Sequence, residues 1–427
     1  MMPNERIVAY SALLLSACMP AGAQTLQRRI DASAAPSLQF HFAGRPVVCG
    51  DGRTYMRIDN DSWMGNGWAA GRSAPCERGP VRVLLVRAGR EIIRIESYAG
   101  PLTNDSTAAD LGNIAASDAS AYLMSLALSA EGRVARDALT GAALADSSDN
   151  TKGLLALSRD QNRGRELRRS ALGWLVRQSD ERGAGAIAEV VRTVSSIAHD
   201  ENESNGSRQQ ALGLLSRVGR GEGIPELISL AGQGGDVWLA RQSVDVLSRS
   251  GDPRARRTLR ELISNANASA EVRIAAFSGL ANEYGTPADV DLIRAAYPSL
   301  VSDRARDAAL SAVSTVGSGA ARTWLSSIVR DREQAMHQRK RAAELLERAG
   351  ASTADLTKLY DEIDETDIRS ALIEQLAQAG TRDATTKLIA IARAEPNLAV
   401  RRRAVSVLSR SEDPRVKEVL QGVVERP

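Results

Sequence analysis

Between Leu175 and Leu408 apolar and polar positions follow one short phrase eight times: an arginine, a small residue, an apolar anchor and, usually, a glycine soon after. The anchors are Leu175, Leu215, Leu247, Leu280, Val313, Leu346, Leu376 and Leu408, separated by 40, 32, 33, 33, 33, 30 and 32 residues. Seven residues before the anchor stands Arg168, Arg208, Arg273, Arg306, Arg339, Arg369 or Arg401; only the third unit departs, with Ala240 followed by Arg241. A near-constant period of this length marks a solenoid of stacked helix pairs.

Each phrase predicts a helix, because the anchor and the residues three and four before it share one face at the 3.6-residue period. In the unit that ends at Leu280 these are Ala276, Phe277 and Leu280. Gly219, Gly251, Gly285, Gly317, Gly350 and Gly380 follow their anchors by four or five residues, where a helix end uses a positive φ angle. Asp252-Pro253, Thr286-Pro287 and Asp413-Pro414 then read as an N-cap followed by proline at the first helical position. Partner helices such as Ala255–Ile263 and Arg415–Val424 carry apolar stripes of their own. Two short helices cannot bury an apolar face alone, so neighbouring units must stack.

These units resemble the HEAT repeats, in particular their short bacterial, PBS-lyase-type form. The matching residues are the pairs Val272-Arg273, Val400-Arg401 and Ile368-Arg369 and the helix-opening prolines Pro225, Pro253, Pro287 and Pro414. The resemblance covers roughly residues 130–427. It implies a curved array whose Val-Arg helices line the concave face. A first unit around Arg136–Asp146, followed by Leu154-Leu155, matches poorly, as a terminal capping repeat does.

Ahead of the repeats the period changes from helical to alternating. Phe40–Ala43, Thr54–Ile58, Val81–Arg87 and Glu91–Tyr98 read as strands, the last two joined through Ala88-Gly89 as a hairpin. Arg6 and the apolar run Ile7–Ala17 lead to Ala21-Gly22-Ala23, so residues 1–23 read as a secretory signal peptide, too short to be a stable membrane span. Leu15-Ser16-Ala17-Cys18 also resembles a lipobox, which would anchor the chain through a lipidated Cys18. Either route places the mature protein outside the cytoplasm, periplasmic or extracellular. No other segment approaches the ~20 apolar residues of a membrane span. Without the leader only Cys49 and Cys76 remain, and in an exported chain they are expected to form one disulfide.

The expected plan is therefore an all-α superhelical solenoid of HEAT-like repeats preceded by a small disulfide-linked β domain. A polar leader spans 24–36, the β domain 37–100, a linker 101–117, and a solenoid of about eight to nine repeats 118–427.

Composition narrows the function. Net charge is +3, too small to call for a polyanion, so no nucleic acid is expected. Gln338-Arg339-Lys340-Arg341 and Arg401-Arg402-Arg403 concentrate charge at the starts of Val-Arg helices. There the aligned arginine is expected to join an inter-repeat ladder with acids or helix ends. Its neighbours are either solvated or part of a binding patch. Trp63 and Trp68 flank a glycine-rich stretch that reads either as a sugar- or peptide-binding platform or as a plug for a small sheet. Asp59-Asn60-Asp61 begins like a calcium loop, but the twelfth position is Ala70 and turn chemistry is expected. The surplus in the 40-residue gap maps to residues 199–207 and reads either as a loop projecting from one face, sometimes the binding face, or as a disordered stretch of no consequence.

His41, His199 and His337 are widely separated, no His-Glu pair occurs, and neither a G-x-S-x-G elbow nor an H-E-x-x-H helix is present. No catalytic residue, cofactor or metal is expected. The sequence points to an exported, non-enzymatic interaction or scaffold protein whose concave face holds a protein or extended peptide. Trp238, Gln242, Lys340 and Arg402 are the candidate groove residues beside the aligned arginines. The alternative is an envelope glycan or anionic-lipid binder that works through Trp63, Trp68 and the arginine clusters.

Overall fold

The computed structural model describes residues 20–58, 62–65, 76–102, 107–181, 184–282 and 285–417. The chain divides into two compact units, Met1–Arg220 and Gly221–Pro427. The division falls inside the repeat array and not in the 101–117 stretch. The reason lies in how the first unit builds its core.

The first unit opens with helix α1 (Ala21–Ala32), followed by strands β1 (Ser37–Phe42), β2 (Val48–Gly50), β3 (Tyr55–Ile58), β4 (Ser62–Gly65), β5 (Val81–Ala88), β6 (Glu91–Ala99) and β7 (Ala109–Asn113). One sheet has the order β6-β5-β1-β7, the other β2-β3-β4. Alternation sorts the faces: Leu38, Phe40 and Phe42 of β1 and Val81, Val83 and Leu85 of β5 are buried, with more open residues between them. β5 and β6 form the expected hairpin, closed between Ala88 and Glu91, with Gly89 at φ 64° where the tight turn requires it. Cys49 and Cys76 are bridged, their Cα atoms 5.1 Å apart. Three backbones cross at Gly50, Gly79 and Gly100: a Cβ on Gly100, whose φ is 121°, would lie 2.6 Å from the Gly50 carbonyl oxygen.

Helices α2 (Ala116–Ser129), α3 (Gly132–Leu144), α4 (Thr151–Arg159), α5 (Arg165–Arg177), α6 (Ala184–His199) and α7 (Asn205–Leu215) complete this unit. The sheet does not stand apart from them. Phe40 meets the buried Tyr122 of α2 edge-on, with ring centroids 6.4 Å apart. Arg45, 6% exposed, donates from Nε to the Ala143 carbonyl (2.9 Å) and from Nη2 to the Ser148 carbonyl (3.0 Å), tying β1's exit to the end of α3.

Three expectations are corrected here. Residues 24–36 are not a polar leader: α1 buries Ala23, Leu26 and Ile30, and the buried Arg87 donates to the carbonyls of Ile30, Ser33 and Ala35. The stretch 101–117 is not a plain linker, because β7 adds to β1 in parallel and α2 begins at Ala116. The surplus at 199–207 does not project as a free acidic loop. Much of it is taken up by the length of α6, and Glu203 turns inward, 8% exposed.

The second unit is six helix pairs: α8 (Ile224–Gly232) with α9 (Val237–Leu247), α10 (Pro253–Ser264) with α11 (Ala270–Leu280), α12 (Pro287–Ala296) with α13 (Asp303–Val316), α14 (Gly319–Arg330) with α15 (Met336–Glu344), α16 (Thr353–Glu362) with α17 (Thr366–Ala379), and α18 (Arg382–Ala394) with α19 (Leu398–Leu408). The anchors Leu247, Leu280, Val313, Leu346, Leu376 and Leu408 are all buried. Side chains of Asp236, Ser269, Ser302 and Asn397 cap the second helices by accepting from backbone N–H groups two or three residues on. Thr286 and Asp289 close a reciprocal capping box on α12. Of the expected helix 415–424, residues up to 417 are helical and the rest lie outside the described residues.

Candidate functional site

The aligned arginines form a ladder inside the array. Five of the seven reach back to a carbonyl at the end of the helix before them: Arg208 Nε to Ala198 (2.8 Å), Arg273 Nη2 to Ile263 (3.0 Å), Arg306 Nε to Leu300 (2.9 Å), Arg339 Nε to Val329 (2.9 Å) and Arg369 Nε to Ile363 (2.6 Å). Helix C-termini leave carbonyls unpaired and partly negative, so a guanidinium there both caps and neutralises. Several also reach forward into the next pair. Arg168 binds Glu203, Arg339 Nη1 binds Glu365 Oε1 at 2.7 Å, and Arg369 Nη1 binds Glu395 Oε1 at 3.1 Å.

The acids respond to these partners. The Arg339 hydrogen bond lowers the pKa of Glu365. Burial opposes ionisation of Glu395, but hydrogen bonds from Tyr360 and the Asn397 backbone, with the charge of Arg369, bring it below its ordinary value. On the first helices Asp289, fully buried, accepts from Arg260 Nε (2.8 Å) and Arg256 Nη2 (2.5 Å) of α10. These contacts carry charge between neighbouring pairs.

The candidate groove residues separate into two kinds. Lys340 and Arg402 are exposed on second helices, beside the buried Arg339 and the half-buried Arg401. Trp238 and Gln242 are half-buried and engaged with neighbouring groups, so neither is an open anchor. Of the basic clusters, Arg341 pairs with Glu344 at 3.3 Å and Arg403 with Glu374 at 2.8 Å. Trp63 lies in β4 opposite Arg57, its side chain beyond what is described, and Trp68 and the 59–61 stretch lie outside the described residues. Exposed apolar residues at the entries of second helices form a further feature. Val237, Met336 and Leu398 each stand ten residues before an anchor, so the repeat register marks them in the sequence.

The first unit also holds a cleft of about 200 Å³ between β3, β6 and α3. Glu96, Tyr98, Arg133 and Asp137 line it. Burial, together with the 2.7 Å hydrogen bond Tyr98 donates to Glu96, pushes the tyrosine up to about 12. Burial raises the pKa of Asp137 against the pull of Arg133, whose Nε donates at 3.3 Å. These groups satisfy one another and leave no poised nucleophile. Among the described residues no group of three or more His, Cys, Asp and Glu is placed to hold a metal, and His41, His199 and His337 sit on β1, α6 and α15.

Residues 224–314 match the family model of HEAT repeats. No curated protein sequence matches the chain. Among solved structures, human deoxyhypusine hydroxylase is similar at 19% identity, covering 57% of this chain and 97% of that one, with a TM-score of 0.27. Importin Beta is similar at 14% identity over 68% of this chain, with a TM-score of 0.40; the chain spans only 44% of its length. The complex of CpcE and CpcF of phycocyanin lyase from Nostoc sp. is similar at 16% identity, covering 64% and 94%, with a TM-score of 0.28. Likenesses this remote say nothing of activity.

Proposed function

We propose that this HEAT-repeat protein is an exported, non-enzymatic binding scaffold that holds another protein on the second-helix face of its repeats. The observation that supports this reading is the division of labour among its charges. Six of the aligned arginines, Arg168 to Arg369, are paired inside the array, whereas Lys340 and Arg402 stay exposed on second helices of the repeats. Such a surface offers recognition without a reaction centre. Export rests on the leader pattern, and a Cys49–Cys76 bridge suits an oxidising compartment.

The test is affinity capture from an envelope fraction, with the full chain as bait and anionic vesicles and envelope glycan as parallel matrices. A protein retained in a defined ratio is expected. Retention on vesicles or glycan alone would replace the proposal with the lipid- or glycan-binding alternative.

A further inference from the structure

Among the described residues of the second unit, four large apolar side chains are exposed: Val237 (39%), Val301 (96%), Met336 (43%) and Leu398 (49%). All four lie where a second helix begins. Val237, Met336 and Leu398 are first residues of α9, α15 and α19, and Val301 immediately precedes Ser302, the cap of α13. Contacts between pairs hold such entries side by side. His337 Nε2 lies 3.3 Å from Asp303 Oδ1, and Asn397 Nδ2 donates to Thr366 Oγ1 at 2.8 Å. The row is interrupted by polar entries at Asp303 and Thr366.

A base follows each of three apolar entries by four residues: Arg241, Lys340 and Arg402. A spacing of four puts base and apolar residue on one helix face. All three bases are exposed, and among the described residues none makes a hydrogen bond or ion pair. Single exposed apolar residues are ordinary, as are single solvated bases. Here the two coincide at one register position in three helices. The helix gains nothing from this arrangement, since its N-terminal turns favour acids over bases.

We propose that this row of helix entries docks an extended acidic segment of a partner protein, apolar at every third residue. The inference rests on the protein-binding reading above and names its partner's chemistry. Unpaired bases call for carboxylates. Spacing selects the conformation: packed helices lie about 8–10 Å apart, and three residues of polyproline-II chain advance about 9 Å. Every third residue then comes level with a successive second helix, the apolar ones meeting Val237, Met336 and Leu398, with acidic residues between them facing the bases. An α-helical ligand, with its ~5.4 Å pitch, falls out of step.

The probe is a fluorescein-labelled peptide of six Leu-Glu-Pro triplets, titrated with the full chain and read by fluorescence anisotropy at low and high salt. Leu-Lys-Pro and Ser-Glu-Pro peptides are the controls. Expected is salt-sensitive binding of the first peptide only, weakened about tenfold by the double variant Lys340→Glu, Arg402→Glu and again by Met336→Ser, Leu398→Ser. Both variants change exposed residues, and an unaltered melting curve shows that they fold. No binding of the Leu-Glu-Pro peptide, equal binding of the Leu-Lys-Pro peptide, or undiminished binding by the variants would overturn the proposal. Envelope capture that survives Lys340→Glu, Arg402→Glu would leave protein binding standing and remove this surface from it.

Discussion

Leu280 and Asp289 show at the scale of single residues how the array is held. Leu280 is 1% exposed and closes the stripe begun by Ala276 and Phe277. Leu280→Ala is expected to cost about 2–5 kcal/mol, as buried leucine truncations do. A loss below about half a kcal/mol in chemical denaturation would refute the register read from the repeat. Asp289 is different, because its partners Arg256 and Arg260 reach solvent, with 26% and 42% of their side chains exposed. Asp289→Asn lets both guanidiniums return to water, so the expected cost is that of a charged hydrogen bond, about 1.5–3 kcal/mol. Burial opposes ionisation of Asp289, yet Arg260, Thr286 and Arg256 bring its folded pKa below the usual value. A depressed carboxylate contributes stability above its unfolded pKa of about 4 and loses it as pH falls through the folded value. The gap between wild type and Asp289→Asn should therefore narrow in acid. A gap that stays constant from neutral pH to strong acid would contradict the assignment.

Among the elements, α1 bears most directly on processing. Cleavage after Ala23 would remove its first turn, including the fully buried Ala23 and Gly22, where any Cβ would overlap Asp118. Processing before Cys18 would keep the whole helix and its contacts with the sheet. The helix would then be retained intact, and intact-mass measurement of the native protein is expected to give a mature chain starting upstream of Ala21. A first residue of Gln24 would show that α1 survives without its opening turn; a chain that keeps Met1 would contradict export. Strand β7 and helix α2 make a related point. Both come from a stretch of small and polar residues whose local pattern predicts no element, and the edge of β1 recruits the strand.

At the scale of the molecule, the two compact units should respond separately to reduction. The Cys49–Cys76 bridge closes a ring spanning 27 positions in the first unit. A ring of that length contributes roughly 3 kcal/mol by constraining the unfolded chain. Reduction is expected to lower the first unit's melting transition while the second unit's transition holds. Calorimetry of oxidised and reduced protein checks this, and equal shifts in both transitions would show that the units do not unfold independently.

The sequence by itself determined what local periodicity encodes: the repeat spacing, the buried anchors, the Asp/Thr-proline caps, the β5–β6 hairpin and the cysteine pair. It also placed Lys340 and Arg402 at solvent, because they lie off the packed stripe. Only the tertiary structure decided where charge is satisfied. Glu203, Glu365 and Glu395 look like loop acids until stacking sets them against Arg168, Arg339 and Arg369. Arg87 and Arg45 look like surface bases until they meet carbonyls of Ile30 and Ala143 far along the chain. Trp238 looked open from the register alone and proved half-buried. Periodicity reports which face of an element turns inward, since hydrophobic burial follows helical or strand geometry. Pairing of buried polar groups depends on partners tens of residues away, so it appears only when the elements pack.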